Sequence, residues 1–166
     1  MQEESADRKV YPLVDARPQA VVIHCSDPRF QKAFREFISE QLHLQDGECI
    51  PLVISGGVAS LSEPLKLPKE FKFMKQRIEF FLKRFDSIRR IILINHEDCR
   101  HYEALRDLLG NVFLHRVAHM TERQKNDLLS VARVVLDFAR PDLEIDLYYA
   151  ALKGGDAVQF ERLTTK

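Results

Sequence analysis

Short runs of β-branched and other apolar residues alternate along this chain with longer segments whose apolar residues recur every three or four positions. The runs lie at residues 20–24, 50–54, 90–95 and 144–152, bounded by Pro, Gly or polar residues. Runs of this length are typical of strands buried on both faces. Strands that alternate with helices build a mostly parallel sheet with helices on both faces. The sequence therefore predicts an α/β fold with about four strands and leaves room for a short fifth strand at an edge, near residues 158–160.

Helical periodicity follows these strands and predicts where the covering helices lie. Apolar residues repeat at helical spacing through residues 30–42 and 69–85, and a further helix is expected over 100–109. Thr121 to Gln124 has the form of a capping box, which predicts the start of a helix that continues as far as Pro141. We expect the many Phe residues of these helices to lie in the core.

The length of 166 residues fits one domain, and only residues 1–9, a polar stretch, are expected to be flexible. Hydrophobic residues make up 45% of the chain and charged residues 30%, which excludes disorder as the main state. The chain has 25 Lys plus Arg residues and 25 Asp plus Glu residues. No block of basic residues is interleaved with aromatic residues that would be expected at the surface. The sequence therefore predicts no nucleic-acid partner.

The apolar runs also bear on location. They are far shorter than the roughly 20 residues that cross a bilayer, so no membrane partner is expected. The first residues have no signal-peptide character. The three cysteines are too few for a disulfide framework and are expected to be free in a reducing compartment. These observations predict a cytoplasmic protein.

Polar residues cluster where two of the predicted strands end. The first strand runs into Cys25, and the third runs into His96 with Cys99 three residues later. The carboxyl ends of neighbouring parallel strands lie at the same edge of a sheet, so two thiolates and one imidazole can converge there. This donor set suits zinc, and three protein ligands leave a fourth position for water, whose pKa zinc lowers to roughly 7. The sequence predicts a zinc site at this edge.

Together these residues resemble the β-class carbonic anhydrases. Cys-x-Asp-x-Arg at residues 25–29 and His-x-x-Cys at 96–99 are similar to the two motifs of that family. The resemblance implies a parallel-sheet α/β fold, a homodimer or higher homo-oligomer, one zinc per subunit held by the residues above, and reversible hydration of carbon dioxide to bicarbonate. It implies that Arg29 holds Asp27 as the acceptor for zinc-bound water, and that Asp27 becomes a fourth zinc ligand when the pair opens.

Several positions differ from the family pattern and keep other functions open. Asn95 and Arg100 stand where the family usually has Gly, and residues 54–57 stand where it commonly has Arg-Asn-Ala-Gly. One alternative is therefore a zinc-binding relative with a lost or altered substrate. A remote alternative is a cysteine-thiolate enzyme, although a phosphate-binding loop needs five residues between Cys25 and Arg29 and this chain has three.

Other candidate residues receive simpler interpretations. Cys49 has no partner motif and is expected to be a packing residue. His115 and His119 are four residues apart, and an exposed or internally satisfied pair is the favoured interpretation over a metal site. His24 and His101 adjoin the two motifs, and either could transfer protons.

Overall fold

The chain folds into alternating strands and helices. The computed structural model describes residues 9–108 and 117–164. The strands are β1 (Ala20–Cys25), β2 (Cys49–Ile54), β3 (Arg90–His96), β4 (Glu144–Lys153) and β5 (Ala157–Leu163). The helices are α1 (Gln31–Glu36), α2 (Ala59–Ser62), α3 (Pro68–Arg84), α4 (Arg100–Leu108) and α5 (Val117–Phe138). A π-helical turn, Phe37–Gln41, continues α1.

The five strands form one sheet in the order β2-β1-β3-β4-β5. β2, β1, β3 and β4 are parallel, and β5 pairs antiparallel with β4. The predicted mostly parallel α/β fold is confirmed, and the fifth strand is longer than the sequence indicated. It pairs over its whole length because a tight turn at Gly154 and Gly155, with φ of +66° and +87°, returns the chain directly beside β4.

Helices cover both faces of the sheet. Side chains of β1 alternate between the faces: Val21 and Ile23 pack with α3 and α5, whereas Val22 packs with α1 and the π-helical turn. All six residues of β1 are buried, because it lies inside the sheet with strands on both sides. β1 and β3 are neighbours, with Ile23 opposite Leu93, so their carboxyl ends lie side by side.

The predicted start of the last helix is wrong. α5 begins at Val117, four residues before the expected cap, and Thr121 lies within it. The Tyr149 hydroxyl lies 3.3 Å from Thr121 Oγ1 and donates to Gln124 Oε1 at 2.9 Å. Both side chains that resemble a capping box therefore bind a residue of β4, a tertiary contact that local sequence does not reveal.

The expectation that the helical Phe residues are all core also needs correction. Phe73 and Phe80 of α3 are 51% and 55% exposed, and Lys72 and Arg77 on the same helix are exposed as well. α3 therefore does interleave exposed aromatic and basic residues, so the premise for excluding a nucleic-acid partner fails and that exclusion stays an untested prediction.

Some expectations fall outside the described residues. Residues 1–9 are predicted to be flexible, and of these only Lys9 is among the described residues. His115 also lies outside them. None of the helices in the described ranges is both long and apolar enough to cross a membrane.

Candidate metal centre

Three donor side chains meet at the carboxyl edge of the sheet. Cys25 ends β1, His96 ends β3, and Cys99 lies in the short turn between β3 and α4. One ligand atom from each lies within 4.8 Å of the others, and the two Sγ atoms are 3.9 Å apart. All three side chains are buried, at 4%, 1% and 2% exposure. The structure thus brings together the three residues that the sequence selected.

The imidazole of His96 is oriented for metal binding. Its Nδ1 lies 2.8 Å from the Glu97 carbonyl oxygen and donates to it, which leaves the lone pair on Nε2. Nε2 is buried and has no hydrogen-bond partner among the described residues. A buried polar atom left unpaired costs about 1–3 kcal/mol, and a bound cation would remove that cost. Two thiols and this nitrogen form a donor set that fits zinc.

Local hydrogen bonds favour the thiolate form of Cys25. The hydrogen bond from Cys99 is the largest of several influences that together lower the pKa of Cys25 well below its usual value, against the opposing effect of burial. The Gly56 N–H also donates to Cys25 Sγ at 3.3 Å. The same sulfur–sulfur contact, together with burial, raises the pKa of Cys99. The metal-free pair therefore shares one proton, which a divalent cation would displace on binding.

The backbone around the donors adopts conformations that most residues avoid. Asp98, between His96 and Cys99, has a φ of +55°. Gly56 has a φ of +78°, and a Cβ built there would lie 2.1 Å from Cδ2 of His101. Asp is one of the few residues with a Cβ that tolerate a positive φ, and at position 56 only glycine fits beside the His101 ring.

Arg29 joins the two motifs beside the donors. Its guanidinium donates to the Asp27 carboxylate through Nε at 3.1 Å and Nη2 at 2.7 Å. It also donates to the Asp98 carboxylate through Nη1 at 2.7 Å and to the Asp98 carbonyl through Nη2 at 2.8 Å. The hydrogen bonds from Arg29 hold the pKa of Asp27 below its usual value. Gln31 donates to the backbone carbonyls of Cys25 and Asp27 at 2.9 and 2.7 Å and so fixes the turn after β1.

A cavity of about 360 Å³ opens over this site. The residues that line it include Cys25 and Cys99 from the donor cluster, Asp27, and Arg100 and His101 from α4. Asp27 is bound to Arg29 and is not among the clustered donors. Two of the three donor residues and Asp27 therefore border the same cavity.

The two histidines beside the motifs have different surroundings. His24 is buried, with its ring against Phe34 and its Nδ1 3.0 Å from the Cys25 carbonyl, and it does not line the cavity. His101 does line the cavity, and its Nδ1 lies 3.0 Å from the Ser55 hydroxyl. Of these two histidines, His101 is therefore the one placed to exchange protons with a molecule in the cavity.

Other residues lie away from the site or were missed by sequence reasoning. Cys49 is half-buried at the amino end of β2, packed against the core and outside the donor cluster. Asp98 and Gly56 were not selected from the sequence. A signal existed for both: Asp98 lies between two chosen ligands, and the glycine turn after β2 permits close backbone approach. That Gly56 approaches Cys25 in particular depends on how β2 pairs with β1.

Comparison with solved structures identifies the fold. A β-carbonic anhydrase of Sordaria macrospora aligns with a TM-score of 0.57 at 12% identity, over 90% of this chain and 82% of that one. The chain has the β-carbonic anhydrase fold. A β-carbonic anhydrase of Trichomonas vaginalis aligns at 0.56 and 10% identity, over 93% and 87% of the two chains. The β-carbonic anhydrase of Aspergillus fumigatus gives 0.53 and 14% identity, over 89% and 76%.

The likeness to β-carbonic anhydrases is one of architecture. The sequence matches no protein-family model and no curated protein. The expected divergent β-carbonic-anhydrase-like fold is confirmed, and at these identities the reaction has to be argued from the site itself.

Proposed function

We propose that this protein is an enzyme, a zinc-dependent carbonic anhydrase that reversibly hydrates carbon dioxide to bicarbonate. Cys25, His96 and Cys99 would hold the zinc. The observation that carries the proposal is the buried donor cluster: one ligand atom each of Cys25, His96 and Cys99 lies within 4.8 Å of the others, and the buried Nε2 of His96 has no hydrogen-bond partner among the described residues. The Asp27–Arg29 pair on the wall of the same cavity supports it.

Bound zinc would supply Lewis acidity, which lowers the pKa of water to roughly 7. The chain supplies the orientation. The Glu97 carbonyl fixes the tautomer of His96, and the Gly56 N–H supports the negative charge on Cys25. Such contacts around metal ligands raise affinity and fix ligand direction.

Asp27 is the proposed acceptor that orients the attacking water. Its side chain is 10% exposed, the residue lines the cavity, and Arg29 keeps the carboxyl group ionised, so it can only accept a hydrogen bond. Arg29 acts through Asp27 as a positioning residue, anchored on its far side by Asp98. This double anchoring favours the Arg29-bound state of Asp27 over the state in which Asp27 is a fourth metal ligand.

We further propose that the protein is a homo-oligomer of the cytoplasm. Large apolar side chains are exposed before β1, at Val10, Tyr11 and Leu13, and on the edge strand, at Val53. Exposed apolar groups of this kind favour association between subunits. The Sordaria macrospora relatives are tetrameric. Sedimentation equilibrium tests this proposal, and a monomer at micromolar concentration would contradict it.

A second candidate function is zinc-dependent chemistry on a different small substrate. The Ser55 hydroxyl and His101 are hydrogen-bonded at 3.0 Å on the cavity wall, and Arg100 adds a positive charge beside them. These polar groups suit an anionic or hydrogen-bonding substrate better than carbon dioxide.

Nucleophilic catalysis by Cys25 on a phosphate is disfavoured. Arg29 would have to bind the anion, but its guanidinium is already bonded to two carboxylates, Asp27 and Asp98.

The proposal is tested by zinc content per chain and stopped-flow carbon dioxide hydration, measured for the wild type, Cys25→Ser, Asp27→Asn and Cys49→Ser. We expect about one zinc per chain and activity in the wild type and in Cys49→Ser. We expect Cys25→Ser to lose both, and Asp27→Asn to keep zinc with activity reduced about 100-fold or more, the usual effect of losing a proton acceptor. Zinc without hydration in the wild type would support the second candidate, and wild-type protein that binds no zinc would contradict both.

A further inference from the structure

A buried side-chain hydrogen bond closes the loop that carries two of the three donors. Nδ2 of Asn95 donates to the Tyr102 hydroxyl at 3.0 Å and to the Gln124 carbonyl at 3.0 Å. Asn95 directly precedes His96, and Tyr102 follows Cys99 by three residues on the first turn of α4. The bond therefore joins the two ends of the segment that presents the imidazole and the thiol.

The groups that make this contact are shielded from water. Asn95 and Tyr102 are each 2% exposed, and Gln124 is 0% exposed. A hydrogen bond in such surroundings is costly to break, because each freed group stays buried without water. Asn95 is thereby fixed to α4 and α5 at once.

Asn95 also approaches the third donor. Gly57 lies between Asn95 and the backbone of Cys25: a Cβ at Gly57 would lie 3.3 Å from Asn95 Oδ1 and 3.2 Å from the Cys25 nitrogen. The Asn95 side chain thus lies close to the backbone of the third donor residue, and Asn95 is not among the residues that line the cavity.

The enclosed loop does not adopt the conformation that its sequence alone favours. Asp98 has a φ of +55°, a sparsely populated region for a residue other than Gly. On the outer side Arg29 binds Asp98, and the Glu97 N–H donates to the Ala150 carbonyl at 2.9 Å. The Asn95–Tyr102 bond provides the inner restraint.

We propose that Asn95 and Tyr102 are positioning residues that fix the spacing of the His96 and Cys99 donor atoms before the cation binds. This inference rests on the proposed zinc site. If the two donors are already in place, metal binding does not have to order them, and the entropy cost of binding is smaller. The Asn95–Tyr102 bond therefore raises metal affinity without contacting the metal. It also assigns a task to Asn95, which the sequence marked as a departure from the family pattern.

The test compares zinc affinity, measured by chelator competition, in the wild type, Asn95→Ala, Tyr102→Phe and the double variant. Tyr149→Phe is the matched control, because it removes another buried phenol hydroxyl, bound to Gln124 Oε1, that is not attached to the loop. We expect each single variant to weaken zinc binding about 10- to 100-fold. We expect the double variant to bind zinc about as weakly as the single variant with the lower affinity, because each single substitution already removes the bond that the two residues share. The control should keep wild-type affinity.

The absorption spectrum of the cobalt-substituted protein supplies a second readout. The ligand-field bands should shift in Asn95→Ala and Tyr102→Phe but not in Tyr149→Phe, whatever the unfolding free energies of the metal-free proteins. If Asn95→Ala fails to fold, Tyr102→Phe, which keeps the ring, carries the test. Wild-type affinity and spectrum in folded Tyr102→Phe would overturn the inference and leave the proposed function intact. A wild type that binds no zinc would overturn both.

Discussion

Gly56 acts on the metal centre in two ways at the scale of a single residue. Its N–H donates to Cys25 Sγ, and the absence of a Cβ leaves room for the His101 ring. A side chain at this position would have to displace the ring and move the N–H away from the sulfur. The backbone here therefore supports both the thiolate and the cavity wall.

Gly56→Ala is expected to lower both stability and zinc affinity. The positive φ alone costs about 1 kcal/mol in a residue with a Cβ, and the clash with His101 adds to it. Gly155→Ala is the matched control, because Gly155 has a φ of +87° with nothing within 4 Å of its built Cβ. The measurements are urea denaturation and chelator competition. Equal losses of stability in the two variants, with unchanged zinc affinity, would show that the contact with His101 does not matter.

Asp127 provides a pH-dependent prediction at the same scale. Burial raises the pKa of Asp127 and outweighs the hydrogen bonds from Tyr102 and Ser62 and the charge of Arg123, whose Nε lies 4.0 Å from Oδ2. Oδ2 itself has no hydrogen-bond partner among the described residues. A carboxyl whose pKa is higher in the folded state makes the unfolding free energy fall as pH rises from about 4 through the folded pKa. Asn titrates in neither state. Asp127→Asn should therefore raise the unfolding free energy at pH 7 by about 1–2 kcal/mol, with no gain near pH 3.

Chemical denaturation of the metal-free protein at the two pH values checks this prediction. Asp137→Asn is the control, since Asp137 is an exposed residue of the same helix, α5. An equal gain at both pH values, or a loss at pH 7, would contradict the proposed cost of the buried charge.

At the scale of elements, α1 and its π-helical turn pack on one face of the sheet. Phe37 from this turn stacks on Phe160 of β5, with ring centroids 3.9 Å apart and planes within 5°, and meets Tyr148 of β4 edge-on. These contacts join a short helical segment to both strands of the antiparallel pair. The late strand is therefore held by side chains from an early part of the chain.

Phe37→Ala is expected to destabilise the protein by about 3–5 kcal/mol, the usual effect of removing a buried ring. Phe80→Ala is the control: Phe37 is 7% exposed, whereas Phe80 is 55% exposed. Phe80→Ala should change the unfolding free energy by about 1 kcal/mol or less. Thermal and urea unfolding of both variants give the comparison, and similar losses would mean that the stack contributes little.

Sequence reasoning succeeded for elements that one short run of residues defines. The strands β1 and β3 are short apolar runs with polar ends, and the structure has them within one or two residues of the prediction. It failed where a distant residue decides the outcome. Thr121 resembles a helix cap, yet it lies inside α5, and its hydroxyl lies 3.3 Å from that of Tyr149 in β4.

At the scale of the whole molecule, the strand order is what makes the site possible. Cys25 and His96 are far apart in sequence, but β1 and β3 are neighbours and parallel, so their carboxyl ends coincide. General rules for α/β sheets anticipate this meeting point, which is why the donor cluster could be predicted. Three features could not be predicted: the second partner of Arg29, the tautomer of His96 and the Asn95–Tyr102 bond. Each of them depends on side-chain geometry at the level of ångströms.

The most direct test of the zinc site is X-ray absorption at the zinc edge of the purified wild-type protein. We expect a first shell with two sulfur atoms at about 2.3 Å and lighter N or O atoms at about 2.0–2.1 Å. Cys49→Ser should keep this shell, and Cys25→Ser should lose a sulfur or the metal. Zinc coordinated only by nitrogen and oxygen, or the same sulfur count after Cys25→Ser, would show that these three residues do not bind the metal.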